Sequence, residues 1–119
     1  MRNKAILIVG GEPNSVFLEI FFKALKYNNF KKPIILIVSK KLLTKQMEQL
    51  KFNFKINLID KKNISFKAIN NKKINIINID YKYKKNFDKI SKISNNYIEK
   101  SFNTALTLLK TNKFTGLIN

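Results

Sequence analysis

The 119-residue sequence has no cysteine and no histidine, a single arginine and only seven acidic residues. Without cysteine there are no disulfides and no thiolate chemistry, which fits a reducing compartment. Without histidine the chain lacks the commonest general base and the commonest transition-metal ligand. No apolar run approaches the ~18 residues of a membrane-spanning helix, and the N-terminal residues lack the pattern of a secretory signal. The expected location is therefore cytoplasmic, with no membrane partner. The three glycines, Gly10, Gly11 and Gly116, are too few for a dinucleotide fingerprint, and no Gly-Lys-Ser/Thr follows Gly10-Gly11. A nucleotide phosphate loop is unsupported.

What is abundant is lysine, asparagine and isoleucine: 23, 17 and 18 residues, with a formal net charge of +17. Such a charge invites a nucleic-acid reading. Bidentate recognition of guanine or phosphate uses arginine, however, and the three abundant residue types share AT-rich codons. A solvated lysine surface is the simpler reading, with no specific nucleic-acid partner. The sharpest cluster is Tyr81 to Lys92, YKYKKNFDKISK. It could bind single strands by stacking and phosphate attraction, as a small basic α/β module would. The competing reading lays its tyrosines against the protein and leaves its lysines in water.

Hydrophobic residues make up 45% of the chain, enough for one domain burying roughly two-thirds of its unfolded surface. Ala5 to Val9 and Pro33 to Val38 are unbroken apolar runs, as expected of strands buried on both faces of a parallel sheet. Each is followed by apolar residues at helical spacing. The first set is Val16, Phe17, Ile20, Phe21, Ala24 and Leu25, with Asn14 or Ser15 as N-cap; the second is Leu42, Leu43, Met47 and Leu50, with Ser39 as N-cap. Phe52 to Ile59 alternates and reads as a half-covered strand near a sheet edge. Asp60 to Lys73 reads as irregular, and Ile74 to Ile79 as a further strand. Asn96 and Glu99 have capping-box spacing ahead of a helix carrying Tyr97, Ile98, Phe102, Ala105, Leu106 and Leu109. The pattern predicts central parallel strands at 5–9, 34–38 and 115–118, and helices near 15–27, 40–50 and 95–110. The fold class is α/β, a three-layer αβα arrangement on a mostly parallel sheet.

In open α/β sheets ligands bind beyond the carboxyl ends of the strands. That places the cleft at Gly11, Glu12, Pro13 and Asn14, with Glu12 either facing it or capping nearby amides. Of the other acids, Asp60 and Asp80 end predicted strands but have no ligand-spaced partner. No catalytic residue and no metal ligand is assigned within the chain.

Those loop residues also carry a resemblance. Gly11-Glu12-Pro13-Asn14, Val16, Glu19 and Lys23-Ala24-Leu25 resemble the N-terminal signature of the 4-hydroxythreonine-4-phosphate dehydrogenase family, Gly-(Glu/Asp)-Pro-x-Gly-Ile-Gly-Pro-Glu followed by a helix ending in Lys-Ala-Leu. Ser15, Phe17 and Leu18 depart from it, standing where two glycines and a proline are expected. The second match lies at Tyr97-Ile98-Glu99-Lys100-Ser101 and Leu109 to Ile118, where Asn112 replaces a glycine. The resemblance implies the N-terminal, incomplete part of an isocitrate/isopropylmalate dehydrogenase-like fold, spanning 1–119 as a single incomplete domain. It further implies an NAD- and divalent-metal-dependent oxidoreductase of vitamin B6 (pyridoxal phosphate) biosynthesis. That enzyme acts as a homodimer on a small phosphorylated hydroxy-amino acid. The family's metal-binding histidines, phosphate groups and NAD-contacting segments have no counterpart among these residues. The chain alone is accordingly expected to be inactive and to bind neither NAD nor metal.

Overall fold

The computed structural model describes residues 4–13, 15–81 and 92–118. Its strands are β1 (Ala5–Val9), β2 (Ile34–Val38), β3 (Ile56–Leu58), β4 (Ile74–Asn78) and β5 (Phe114–Ile118). They form one sheet in the order β3-β4-β2-β1-β5, and every pairing is parallel. The helices are α1 (Phe17–Tyr27), α2 (Lys40–Gln49) and α3 (Lys92–Leu109). Helices α1 and α2 cover one face, where Leu18, Phe21, Phe22, Leu42, Leu43 and Met47 meet Ile8, Leu36, Val38 and Ile76. Helix α3 covers the other, where Tyr97, Ala105 and Leu108 meet Leu7, Val9, Ile35 and Ile37. The three-layer αβα arrangement follows directly from apolar runs with no polar face to expose.

Two expected strands exchange importance. The run at 115–118, expected to be central, is the edge strand β5, and the run at 74–79 lies inside the sheet as β4. Neighbours account for the difference: between β3 and β2, Ile74, Asn75, Ile76 and Ile77 are all buried, whereas β5, paired on one side, exposes Thr115 and Ile118. The edge position of Phe52–Ile59 holds, although only Ile56–Leu58 pairs as strand. Phe52 and Phe54 serve instead as a cover for Phe22, with ring centroids 5.3 and 6.2 Å from it. The 60–73 segment is irregular apart from one 3₁₀ turn at Phe66–Ala68, whose Phe66 packs edge-on to Phe114 at 5.5 Å.

The helices also differ in detail. Helix α1 buries Leu18, Phe21 and Phe22 and turns Val16 and Ile20 outward, 66% and 60% exposed. Its predicted apolar face is therefore rotated, because Leu18, Phe22 and Leu25 complete a second face against the sheet. Val16 is its N-cap position and makes no side-chain cap; Ser15 Oγ accepts a bond from Phe17 N at 3.3 Å, and Asn14 lies outside the described residues. Helix α3 begins at Lys92, so Asn96 and Glu99 lie inside it and form no capping box. Ser39 does cap α2, accepting from Leu42 N at 3.2 Å. Asn112, in the place of a family glycine, has φ 62 and Lys51 has φ 61, each just beyond a helix end. Asparagine is the side-chain-bearing residue that tolerates this left-handed turn best.

Phe22 is fully buried at the centre of the aromatic group. Phe22→Ala should cost about 3–5 kcal/mol in urea unfolding. Leu106→Ala, at a half-exposed position on α3, should stay within about 0.5 kcal/mol.

Candidate functional site

Strand β1 runs into Gly10 and Gly11, and each glycine answers a separate demand. A Cβ on Gly10 would lie 3.3 Å from Val38 Cγ2, so this glycine lets the chain leave β1 hard against β2. Gly11 has φ 70, a conformation that L side chains rarely adopt. Beyond them Ser15 N donates to Glu12 O at 3.2 Å, and Pro13 is buried. Gln46 Nε2 donates to Pro13 O at 3.2 Å and ties the loop to α2.

The gap lined by Gly10 to Pro13, Leu18, Val38, Leu42 and Tyr97 measures only about 10 Å³. That is near the lower limit for one water molecule and far below what a nicotinamide ring needs. Leu18, at the place of a family proline, is buried in its lining, and Phe17, at the place of a glycine, stacks on Phe21 at 6.3 Å. The departures from the signature have been turned into packing. Gly11, Glu12 and Pro13 are thus assembled at the carboxyl end of β1, over a filled space.

A larger opening lies one strand away. The connection after β2 leads forward into α2, whereas the chain after β4 goes to the face covered by α3. Neighbouring strands whose chains leave to opposite faces open a crevice between their carboxyl ends. A groove of about 860 Å³ occurs there, lined by Ser39, Lys40, Lys41, Thr44, Lys45, Glu48, Asn78, Asp80 and Tyr81. Asp80, one of the two strand-ending acids singled out in the sequence, faces this groove. Asp60 does not, and instead accepts a bond from Lys62 N at 3.0 Å in its own turn.

The floor of the groove is held by a set of bonds from α3 and β4 to the start of α2. The Tyr97 hydroxyl accepts from Ser39 N at 2.8 Å. Asn78 Oδ1 accepts from Lys40 N at 2.8 Å, while Asn78 Nδ2 donates to Asp80 Oδ1 at 3.2 Å. The amides of Ser39, Lys40 and Leu42 therefore have protein partners already. Burial pushes the Tyr97 phenol up to about 12, against the opposing effect of the Ser39 amide. Tyr81, the first residue of the aromatic-basic cluster, is buried with its ring 4.9 Å from that of Tyr97. The two rings are tilted by 41°, and burial leaves Tyr81 unavailable to stack on a base. Residues 82–91, which carry the cluster's other aromatic side chains and all its lysines but Lys92, lie outside the described residues.

Sequence reasoning placed Tyr97 in the core and left Asn78 unassigned. Nothing local reveals their roles, because the bonded groups lie 58 and 38 residues apart in the chain. Among the described residues no three carboxylates come together. These residues do not fit a divalent-metal site by themselves, and the β1 loop does not fit a dinucleotide.

Neither a family model nor a curated protein matches the sequence. Solved structures do match its fold. One is a 4-hydroxythreonine-4-phosphate dehydrogenase from Burkholderia phymatum, at TM-score 0.79 and 19% identity over 96% of this chain. Another is the 4-hydroxythreonine-4-phosphate dehydrogenase from Klebsiella pneumoniae, at TM-score 0.79 and 15% identity over 96% of this chain. The chain spans 35% and 36% of the length of these two proteins. At such identity the likeness establishes the fold: the α/β arrangement described above is the one found in a third of each enzyme.

Tyr97→Phe should cost about 1–3 kcal/mol in denaturant unfolding, since it leaves the buried Ser39 amide without an acceptor. The phenol's folded pKa is raised above its unfolded value of 10, so its contribution is complete below pH 10 and is lost as pH rises through about 12. The parent protein should therefore lose stability across that interval more steeply than Tyr97→Phe. Ultraviolet titration should also show one late-ionising tyrosine that the variant lacks.

Proposed function

We propose that these 119 residues form the N-terminal α/β part of a longer dehydrogenase. The enzyme would use NAD and a divalent metal to oxidise and decarboxylate 4-hydroxythreonine-4-phosphate or a closely similar phosphorylated hydroxy acid. In this reading it is a cytoplasmic homodimer serving pyridoxal phosphate biosynthesis, with no specific nucleic-acid partner. What carries the reading is a coincidence of fold and motif. The chain shares its fold with dehydrogenases of that name, and Gly11-Glu12-Pro13, the part of the family signature kept here, sits at the end of the first strand with Gly11 at φ 70.

This part of the molecule supplies the frame. The sheet sets the β1 loop beside the crevice between β2 and β4, and the bonds from Tyr97 and Asn78 fix the start of α2 at its rim. When bound, NAD supplies the hydride acceptor and the metal ion polarises the substrate's oxygens. The residues present offer neither histidine nor clustered carboxylates for that work, so in this reading it falls to the remainder of the enzyme.

The test begins with the coding DNA beyond Asn119. An open frame running into Gly-Pro-x-x-Lys and later histidines is expected. Its purified product should reduce NAD with 4-hydroxythreonine-4-phosphate and lose activity to a chelator, whereas the 119-residue chain should show no turnover. Turnover by the 119-residue chain, or a long product inert toward this substrate class, would overturn the proposal.

A further inference from the structure

The sheet is left bare over β5 on one face. The core residues of that strand, Phe114 and Leu117, both pack on the α3 face. Register sets Gly116 beside Ile6 and Ile118 beside Ile8, on the face that α1 and α2 cover. There Ile118 is 51% exposed, and a Cβ built on Gly116 meets no atom within 4 Å. The gap is geometric in origin. Helices lie roughly 8–10 Å apart and strands roughly 4.8 Å apart, so each helix covers about two strands. Together with Phe52 and Phe54, α1 and α2 reach from β1 to β3 and stop short of β5. The flank of α1 beside the gap is apolar as well. Phe22 and Lys26 lie toward Phe52, which puts Phe17, Ile20 and Ala24 on the flank toward β5, and Ile20 is 60% exposed.

We propose that this gap is the seat of a helix from the remainder of the longer dehydrogenase, laid beside α1 over β5. The inference rests on the reading above and adds where the two parts of that enzyme join. Parallel sheets have both faces covered by helices of their own chain, and β5 meets that rule on one face only. The chain spans 35% of the Burkholderia protein whose fold it shares, so the same reading leaves most of the enzyme to supply the cover. A second copy fits less well, because it would bring another +17 surface against the exposed Lys23 and Lys26. Handedness narrows the source further. Connections running from the β5 side toward β3, which carry α1 and α2, cross one face of the sheet. Those running back, which carry the 3₁₀ turn and α3, cross the other. A parallel strand added beyond β5 therefore takes its own helix to the α3 face. The cover over Gly116 and Ile118 belongs instead to a later segment that returns to the sheet. Its inner side must be apolar, with room left by Gly116 for a close approach to the strand.

Thiol accessibility tests this, since the 119-residue chain has no cysteine of its own. Ile20→Cys is made in the 119-residue chain and in the longer product of the open reading frame. Maleimide labelling is read by mass spectrometry on the peptide that carries position 20. It should be fast in the short chain, at least ten-fold slower in the folded long product, and fast again once that product is unfolded in urea. A benzophenone attached to the Ile20→Cys thiol should crosslink to a later segment of the same chain, with no increase in mass. Ile20→Lys should leave the urea midpoint of the short chain unchanged and lower that of the long one. Equal labelling of the folded short and long products would overturn the proposal. So would crosslinks that double the mass, crosslinks to the segment directly following β5, or a reading frame that closes at Asn119. Turnover is measured separately on the long product. Protection at position 20 in a product inert toward the phosphorylated hydroxy acid keeps this inference and removes the dehydrogenase reading; turnover with position 20 freely labelled does the reverse.

Discussion

The constraint on which the rest of this structure depends is the complete burial of β2. All five of its residues, Ile34 to Val38, are buried, and helices cover the sheet on both faces. A strand in that position has no water for its backbone groups, so each end must be tied off by protein. At the entry Asn71 Oδ1 accepts from Ile34 N at 3.0 Å, and Asn75 Nδ2 donates to Ile34 O at 3.3 Å. At the exit the Tyr97 hydroxyl and Asn78 Oδ1 accept from Ser39 N and Lys40 N. These side chains come from β4, the segment before it, and α3. Closing the ends of β2 thus adds to the strand pairing of β1 with β5 and of β2 with β4 in joining both halves of the chain.

The same closure shapes the site. The exit of β2 is one wall of the crevice, and the groups that satisfy its backbone also fix where α2 begins. Gly11 gives the β1 loop its left-handed turn, while Gly10 permits close packing against Val38. Leu18 lines the small space beneath that loop, while Phe17 stacks on Phe21. The crevice between β2 and β4 stays open because its walls diverge to opposite faces of the sheet, a consequence of strand order rather than of any one residue.

Charge and abundance have less to do with the architecture than the composition suggests. Most lysines lie in water, and the described cation–ring contacts are those of Lys26 with Tyr27 and Phe52. Asparagine is different. Asn71, Asn75 and Asn78 each bond backbone groups at the ends of buried strands. A short amide side chain that both donates and accepts suits that task.

By itself the sequence determined the element types, the parallel sheet and the three layers. Unbroken apolar runs such as Ile34–Val38 leave a strand no face to give to water, and the helical spacing that follows each run requires a crossover. It also determined the loop at Gly11, because few residues accept that turn. Only the tertiary structure decided which run lies inside: β4 rather than β5, a choice made by how many faces each strand finds covered. It decided too which side of α1 turns inward, since Leu18, Phe21 and Phe22 compete with Val16 and Ile20 and a local pattern cannot rank two apolar faces. The bond from Tyr97 to Ser39 crosses 58 residues, and no periodicity in the chain encodes it.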